Sequence, residues 1–144
     1  MYVLTADEIR QVENNCFDGY STEAQLMLKA GTACYDAVMK NYGTDIFSKR
    51  IFVLCGNGKN AGDGFVMARL FYSEGIDVKI VLCDKKPTIP EPLEYFNQAV
   101  MSGVSVVDFD NVCLDDCDII IDCIFGIGFK GEPRAPFDKV FNSV

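Results

Sequence analysis

The segment "IFVLCGNGKNAGDGFVMARL", residues 51–70, decides the fold. Its first five residues are all apolar, which is typical of a strand buried on both faces of a parallel sheet. Glycines follow at positions 56, 58, 62 and 64, and a helical pattern opens near Gly62 and ends at Gly75. Because free N–H groups at a helix N-terminus attract anions, this strand, loop and helix together predict a pyrophosphate-binding site.

Strands and helices alternate on both sides of this segment. Downstream, apolar runs and helical patterns predict a strand at 77–84, a helix at 91–103, and strands at 104–109 and 117–126. Upstream, a capping box of Thr5 and Glu8 begins one helix, and Ser21 or Thr22 begins a second that ends at Gly43. The alternation predicts a Rossmann-like α/β fold, a doubly wound and mostly parallel sheet preceded by two N-terminal helices.

The composition restricts the function. The 144 residues are 49% hydrophobic and 24% charged, which predicts a single cored domain over residues 1–144. The net charge of −8, without a cluster of basic residues, argues against nucleic acid as a partner. No apolar run reaches the roughly 18 residues that a membrane span requires, so we expect no membrane partner.

The histidine and cysteine content limits the kinds of catalytic and metal-binding site that the chain can form. The chain has no histidine, which excludes Ser-His and Cys-His nucleophilic sites and removes the commonest zinc ligand. Its seven cysteines are odd in number and scattered through apolar runs, and the start of the chain does not resemble a secretory signal. We therefore expect no disulfide framework and a reducing, cytoplasmic location, with carboxylates, lysines and backbone dipoles left for any chemistry.

A second glycine loop, "GIGFKG" at 126–131, also follows a predicted strand. It matches the dinucleotide pattern G-x-G-x-x-G. The first glycine loop, residues 56–64, is interpreted as differing from that pattern by one residue in its spacing, and it is not a Walker A sequence. The match alone is weak, because the acidic residue expected about 20 residues later would lie beyond Val144. Since carboxyl ends of parallel strands share one edge of the sheet, we expect the two loops to face each other.

Three polar residues stand out beside the glycines. Asp122 interrupts the apolar run "IIIDCIF", where a carboxylate at a buried strand end requires a cation or several hydrogen-bond donors. A hard cation bound by oxygen atoms would satisfy it, with Asn60 supplying an amide oxygen. The alternative is structural: Asn60 and Asp63 shape the turn and cap the helix, Asp122 caps the turn after its strand, and the glycines at 126, 128 and 131 are plain turn residues.

Two long motifs carry a resemblance to a known family. "GNGKNAGDGFVMAR" (56–69) resembles the G-x-G-N-N-G-G-D-G motif of the N-terminal YjeF family, the NAD(P)HX epimerases. "DCIFGIGFKGEPR" (122–134) resembles that family's D-x-(I/L)-F-G-T-G-x-x-G, and "LMLKAG" (26–31) is similar to its L-M-E-N-A-G. This sequence departs from the family pattern at three places, with Lys59 for Asn, Ala61 for Gly and Lys29 for Asn.

The resemblance implies an isomerase that interconverts the R and S epimers of hydrated NADH and NADPH, called NADHX and NADPHX. Asn60 and Asp122 would ligate a potassium ion. Substrate-binding positions carried over from the two motifs are Lys59, Asn60, Ala61, Gly62 and Asp63 in the first, and Gly126, Ile127, Gly128, Phe129, Lys130, Gly131 and Glu132 in the second. Lys59 could pair with a phosphate.

The family's V-D-x-P-S-G strand has no match in the 144 residues. Its aspartate is the implied catalytic carboxylate, so the catalytic residue is unknown here and is expected beyond Val144. The resemblance thus implies that the chain covers about the first two thirds of the family domain. By itself, the chain is then expected to be a weak epimerase. The resemblance also implies a fused or partner NAD(P)HX dehydratase. The absent strand would leave an unpaired sheet edge, from which we expect a homodimer. The alternative function is a non-catalytic nucleotide-binding or dimerisation scaffold, because the fold also resembles domains of mRNA-decapping enhancers.

Overall fold

The computed structural model describes residues 22–143, which form one α/β unit. Four parallel strands lie in the order β3-β2-β1-β4, namely β1 (Arg50–Cys55), β2 (Asp77–Leu82), β3 (Ser105–Asp108) and β4 (Ile119–Cys123). The α-helices of this range are α1 (Glu23–Tyr42), α2 (Lys59–Ser73), α3 (Pro90–Ser102) and α4 (Phe137–Phe141). The predicted Rossmann-like fold is confirmed. The other predicted N-terminal helix, with its Thr5 and Glu8 capping box, lies outside the described residues.

Helix α1 shows how local sequence sets the helix boundaries. Its N-cap is Thr22, whose Oγ1 accepts from the Gln25 N–H at 3.2 Å while Gln25 Oε1 accepts from the Thr22 N–H at 2.9 Å. This reciprocal capping box satisfies two N–H groups that the helix itself leaves unpaired. The helix ends at Gly43, whose φ of 56° suits glycine. Of the two predicted caps, Thr22 is the one used.

The two faces of the sheet are covered differently. Helices α1, α2 and α3 share one face, where Val53 and Ile80 pack against Phe65 and Phe71 in the larger core. The opposite face packs through Phe52 against the chain between β3 and β4 and against α4. That connection contains two 3₁₀ turns, Phe109–Asn111 and Leu114–Asp116, rather than an α-helix. One face of the sheet is therefore covered by a thick layer of helices, and the other by a thin, mostly irregular layer.

The central strand β1 brings the predicted loops to one edge. It pairs in parallel with both β2 and β4, and Cys55 is in register with Leu82 on one side and with Cys123 on the other. Both glycine loops start just past these strand ends, at the carboxyl edge where α/β sheets bind ligands. Within the described range β4 is the outer strand on that side, and its Ile120 and Ile121 are only half-buried.

The cysteines of the described range differ in their burial. All six of them are free thiols. Cys55 and Cys123 lie at the ends of β1 and β4, and Cys83 follows β2, each buried. Burial raises the pKa of the Cys55 thiol well above its usual value. Among residues 22–143 there is no helix with the length and apolarity needed to cross a bilayer.

Candidate functional site

The first glycine loop is tightly built into the sheet edge. After β1, the chain makes a short turn through Gly56, Asn57 and Gly58, and α2 begins at Lys59 with Gly58 as its N-cap. The prediction that the helix opens near Gly62 was wrong by about one turn, because Ala61 and Gly62 already pack as helical residues and are buried. The N-terminus of α2, which favours bound anions, therefore lies immediately after Gly58.

The glycines of this loop have different purposes. A Cβ atom on Gly56 would lie 2.5 Å from the carbonyl oxygen of Ile124, so only glycine lets β1 end this close to the chain leaving β4. A Cβ on Gly62 would lie 2.1 Å from Met27 Sδ on α1. Gly62 thus serves helix packing, and Ala61 is 0% exposed. These two predicted substrate residues do not present side chains to the loop surface.

The second loop meets the first through a side chain on α2. Asn60 Nδ2 donates to the Phe125 carbonyl at 2.9 Å, and a Cβ on Gly126 would lie 3.6 Å from the Asn60 Cβ. The prediction that the loops face each other is confirmed. Asn60 is therefore neither a simple turn residue nor the N-cap of α2; it connects the two loops.

The second loop has an open form. Gly126, Ile127, Gly128, Phe129, Lys130, Gly131 and Glu132 are all exposed. The Phe129 N–H donates to the Gly126 carbonyl at 3.0 Å, and the Phe129 ring stacks on Phe125 with centroids 3.9 Å apart. The next helix does not begin until Phe137. The G-x-G-x-x-G sequence therefore forms a turn without the helix that gives the dinucleotide fingerprint its anion site.

The expectation that Asp122 is buried was wrong. Its side chain is exposed, because β4 is the outer strand of the described sheet and no further strand covers it there. Its Oδ1 accepts from the Ile124 N–H at 2.9 Å. This is the turn-capping role that was the structural alternative. It leaves the second carboxylate oxygen outside that hydrogen bond.

Two carboxylates lie close to the thiol at the end of β4. Burial, together with the smaller effect of the negative charges of Asp63 and Asp122, raises the pKa of Cys123 to about 12. Gly64 permits this approach, since a Cβ there would lie 3.0 Å from Cys123 Sγ. Asp63 on α2 and Asp122 on β4 thus both act electrostatically on this thiol. The neighbouring thiol stays protonated and is a poor nucleophile.

Lys59 contacts a carboxylate of the first described helix. Its Nζ lies 2.9 Å from both oxygens of Glu23, with 60% of the Lys59 side chain and 40% of the Glu23 side chain exposed. The ion pair joins the N-termini of α1 and α2. The lysine that could pair with a phosphate is thus engaged at the rim of the first loop.

Sequence reasoning missed two residues at the same edge. Asn57 Nδ2 donates to Asp84 Oδ2 at 2.6 Å, which joins the first loop to the end of β2. The signal was present, because Gly56, Gly58 and Ala61 follow G-x-G-x-x-A, the alanine form of the dinucleotide fingerprint. The structure supplies the strand, turn and helix that this pattern requires. The first loop therefore does not miss the fingerprint.

Comparison with known proteins agrees with this architecture. Residues 23–144 match the family described as YjeF-related protein N-terminus. The chain belongs to the YjeF_N family. It is 34% identical over 155 residues to the NAD(P)H-hydrate epimerase of Puccinia graminis, covering 99% of this chain and 60% of that protein. It is 33% identical to the NAD(P)H-hydrate epimerase of Plasmodium vivax, covering 88% of this chain and 43% of that protein.

A bifunctional relative and a solved structure extend this picture. The bifunctional NAD(P)H-hydrate repair enzyme Nnr of Escherichia coli is 30% identical, and the match covers 97% of this YjeF_N chain and 27% of the enzyme. The crystal structure of yeast YNL200c superposes with a TM-score of 0.87 at 24% identity, covering 99% of this chain and 64% of that one. The chain thus spans less than two thirds of each of these relatives.

Proposed function

We propose that the protein is an NAD(P)H-hydrate epimerase that interconverts the R and S epimers of NADHX and NADPHX. The observation that carries the proposal is the junction of the two glycine loops, made by Asn60 and the Phe125 carbonyl at the carboxyl edge of the sheet. The names of the relatives from Puccinia graminis and Plasmodium vivax support it. A dinucleotide crossing this junction would contact both loops.

The described residues would bind and orient the substrate. The first N–H groups of α2, after Gly58, would bind the pyrophosphate. The exposed second loop, Gly126 to Glu132, would contact the nicotinamide half on the side of β4. These contacts hold the hydrated ring at the edge where Asp63 and Asp122 contribute negative charge.

The reaction needs only a proton donor and acceptor beside the hydrated carbon. A carboxylic acid protonates the hydroxyl, the C–O bond breaks with help from the lone pair of the ring nitrogen, and water leaves. Water then adds to the opposite face and the carboxylate takes back the proton, so the atoms and charges balance. Such acid and base assistance is typically worth ~10²–10⁴-fold. The family resemblance implies that this carboxylate is the aspartate of the V-D-x-P-S-G motif, which has no match in these 144 residues.

We also propose that Asn60 and Asp122 hold a potassium ion. Their donors are hard oxygen atoms, which suit such a cation, and the protonated Cys123 thiol is no competing soft ligand. Among residues 22–143 no group of three or more His, Cys, Asp or Glu side chains could hold a metal ion. When bound, the ion would supply positive charge beside the pyrophosphate.

Binding is tested by titrating the protein with NADP⁺ and following backbone amide NMR shifts. We expect shifts at residues 56–64 and 126–131. Asn60→Ala should weaken binding, whereas Asn97→Ala on the exposed surface of α3 should leave it unchanged. Shifts confined to other surfaces would contradict the site.

Activity is tested by chromatographic separation of the two NADHX epimers. We expect slow interconversion by the 144-residue chain, and fast interconversion when about 60–80 residues that complete a domain of this class follow it. Full activity of the 144-residue chain would show that its own carboxylates perform the proton transfers. Nucleotide binding without activity in both chains would favour the scaffold alternative.

The potassium proposal is tested by thermal melts in matched potassium and choline salts. Bound ion stabilises the folded state, so the melting temperature should be higher in potassium. Asp122→Asn keeps an acceptor for the Ile124 N–H but removes the charge, so it should abolish the potassium gain and retain the melting temperature in choline. Equal melting of the unmodified protein in both salts would leave Asp122 with its capping role alone.

We further propose that the protein forms a homodimer and acts with an NAD(P)HX dehydratase. The half-buried Ile120 and Ile121 on the outer strand β4 support an interface, because unpaired strand edges promote association. The bifunctional repair enzyme of Escherichia coli supports a second, linked repair activity. Sedimentation equilibrium would test the dimer, and a monomer at micromolar concentration would exclude it.

A further inference from the structure

A cavity of about 530 Å³ opens at the carboxyl ends of β2 and β3, and Pro136 and Lys139 from the chain after the second loop complete its lining. Its volume lies in the range of about 300–1,000 Å³ that is usual for small-molecule sites. Leu82 and Phe109 provide apolar surface in its lining, and Asp84 lies in the wall next to the first loop. None of the residues proposed to contact nicotinamide or potassium lines this cavity.

The lining of the cavity favours a planar base with a sugar over an anion. Its lining includes three carboxylates, Asp84, Asp108 and Asp110, and two ammonium groups, Lys85 and Lys139. The balance is one negative charge, which disfavours an additional phosphate. Aromatic and aliphatic surface beside hydrogen-bond acceptors suits a base ring and sugar hydroxyls.

The first loop fixes the position of one of these carboxylates. Asn57, between the two glycines of the loop, donates to Asp84 Oδ2 at 2.6 Å. Asp84 follows the end of β2 directly after Cys83, and it comes 23 residues after Ala61, the last residue of the G-x-G-x-x-A pattern. In parallel sheets of this topology, an acidic residue about 20 residues beyond that pattern binds the ribose hydroxyls of a dinucleotide.

These observations define the two directions of a bound dinucleotide. With the pyrophosphate at the N-terminus of α2, one arm extends over β4 and the other extends over β2 towards the cavity. The β4 arm is the nicotinamide half in the proposed function. The β2 arm is then the adenosine half.

We infer that Asp84 binds the adenosine ribose of the substrate, that adenine occupies the cavity beside Phe109, and that the site prefers the dinucleotide without a 2′-phosphate. The inference rests on the proposed function. A 2′-phosphate would stand against the Asp84 carboxylate, and like charges in contact oppose binding. NADHX would therefore bind better than NADPHX.

The test compares NAD⁺ and NADP⁺ as probes by isothermal titration calorimetry. The unmodified protein should bind NAD⁺ more tightly. Asp84→Asn retains an acceptor for Asn57 but removes the charge, and should shift the ratio of the two dissociation constants towards NADP⁺ by roughly tenfold or more. Asp77→Asn, at the opposite end of the same strand, is the matched control and should leave the ratio unchanged.

A second measurement uses AMP alone. We expect amide NMR shifts at residues 82–85 and 109–111, and none at 126–131. Binding of both dinucleotides with an unchanged ratio in Asp84→Asn, or AMP shifts confined to the second loop, would overturn this inference and leave the proposed function intact. Failure of the unmodified protein to bind either dinucleotide would overturn both.

Discussion

The two glycine loops lie at the same edge of the sheet but have different structures. The first turns directly into a fifteen-residue helix, with Gly56 buried and Ala61 0% exposed. The second is an exposed turn, with Ile127 56% and Phe129 41% exposed. Both loops fit forms of the dinucleotide pattern, the first as G-x-G-x-x-A and the second as G-x-G-x-x-G. A glycine spacing therefore identifies an anion site only when a helix follows it.

The residues after each loop explain the difference. Behind the first loop, Gly62 packs on Met27 of α1 and Gly64 packs on Cys123 of β4, so the helix is fixed from its first turn. Behind the second loop come Pro133 and Pro136, and each restricts the residue before it to extended backbone. The next helix is therefore delayed to Phe137. Packing stabilises the first loop, whereas the second is an exposed turn.

The largest expected effect concerns the cysteines from which the loops start. Burial raises the pKa of Cys123 from 9.0 to about 12, so its thiolate fraction at pH 8 is about a thousandfold below that of an ordinary thiol. We expect iodoacetamide to label the exposed Cys34 rapidly and both Cys55 and Cys123 slowly. Mass spectrometry at intervals would measure the rates. Cys123 labelling much faster than Cys55 would show that the base of the second loop opens more readily.

The same thiols give a pH dependence with a definite sign. Burial raises the pKa of both Cys83 and Cys123 to about 12, so the folded protein keeps protons that the unfolded chain releases above pH 9. The contribution of the two thiols to the free energy of unfolding is fully present below pH 9. This free energy therefore falls between pH 9 and 12. Urea unfolding of the unmodified protein and of Cys83→Ala should show a shallower decline in the variant. Identical declines in the two proteins would show that the Cys83 thiol does not contribute to this pH dependence.

The next effect compares one glycine from each loop. Gly56→Ala places a Cβ 2.5 Å from the Ile124 carbonyl and should lower the free energy of unfolding by about 1–3 kcal/mol. Gly126→Ala meets its nearest atom at 3.6 Å and should change it by less than about 0.5 kcal/mol. Urea denaturation at pH 7 measures both. Equal losses would mean that the second loop is as tightly packed as the first.

The link between the loops should contribute a smaller amount. Asn60→Ala removes the donor to the Phe125 carbonyl and should lower the free energy of unfolding by about 1 kcal/mol. Hydrogen exchange should accelerate in the second loop and remain slow in β1. An unchanged exchange rate at 126–129 would show that Phe125 ring contacts, rather than Asn60, hold that loop.

The smallest effect is expected at the rim of the first loop. The pair of Lys59 and Glu23 is largely exposed, so a double-mutant cycle should give a coupling below about 1 kcal/mol that decreases in high salt. Lys130→Ala in the second loop is the matched control and should change stability negligibly. A coupling of several kcal/mol would show that the ion pair, and not packing, fixes the first loop.

Hydrophobic patterning determined the fold class because burial imposes it locally. The run 51–55 is apolar on every residue, since β1 lies between two strands and two covered faces. The cap at Thr22 and the end at Gly43 also follow from local chemistry. The meeting of the two loops followed from the parallel sheet alone, because strand ends that share an edge must bring their loops together.

Tertiary structure decided what each polar residue does. Asp122 reads as a buried carboxylate because isoleucines precede it, yet it is exposed because its strand lies at the outer side of the described sheet. Asp84 is the last residue of the predicted strand 77–84, yet the first loop holds it against Asn57, 27 residues earlier in the sequence. Hydrophobic burial repeats with the period of a strand or helix, so the pattern of neighbouring residues in the sequence predicts it. The partner of a polar group depends on which distant segments the sheet order brings together, and no local pattern contains that order.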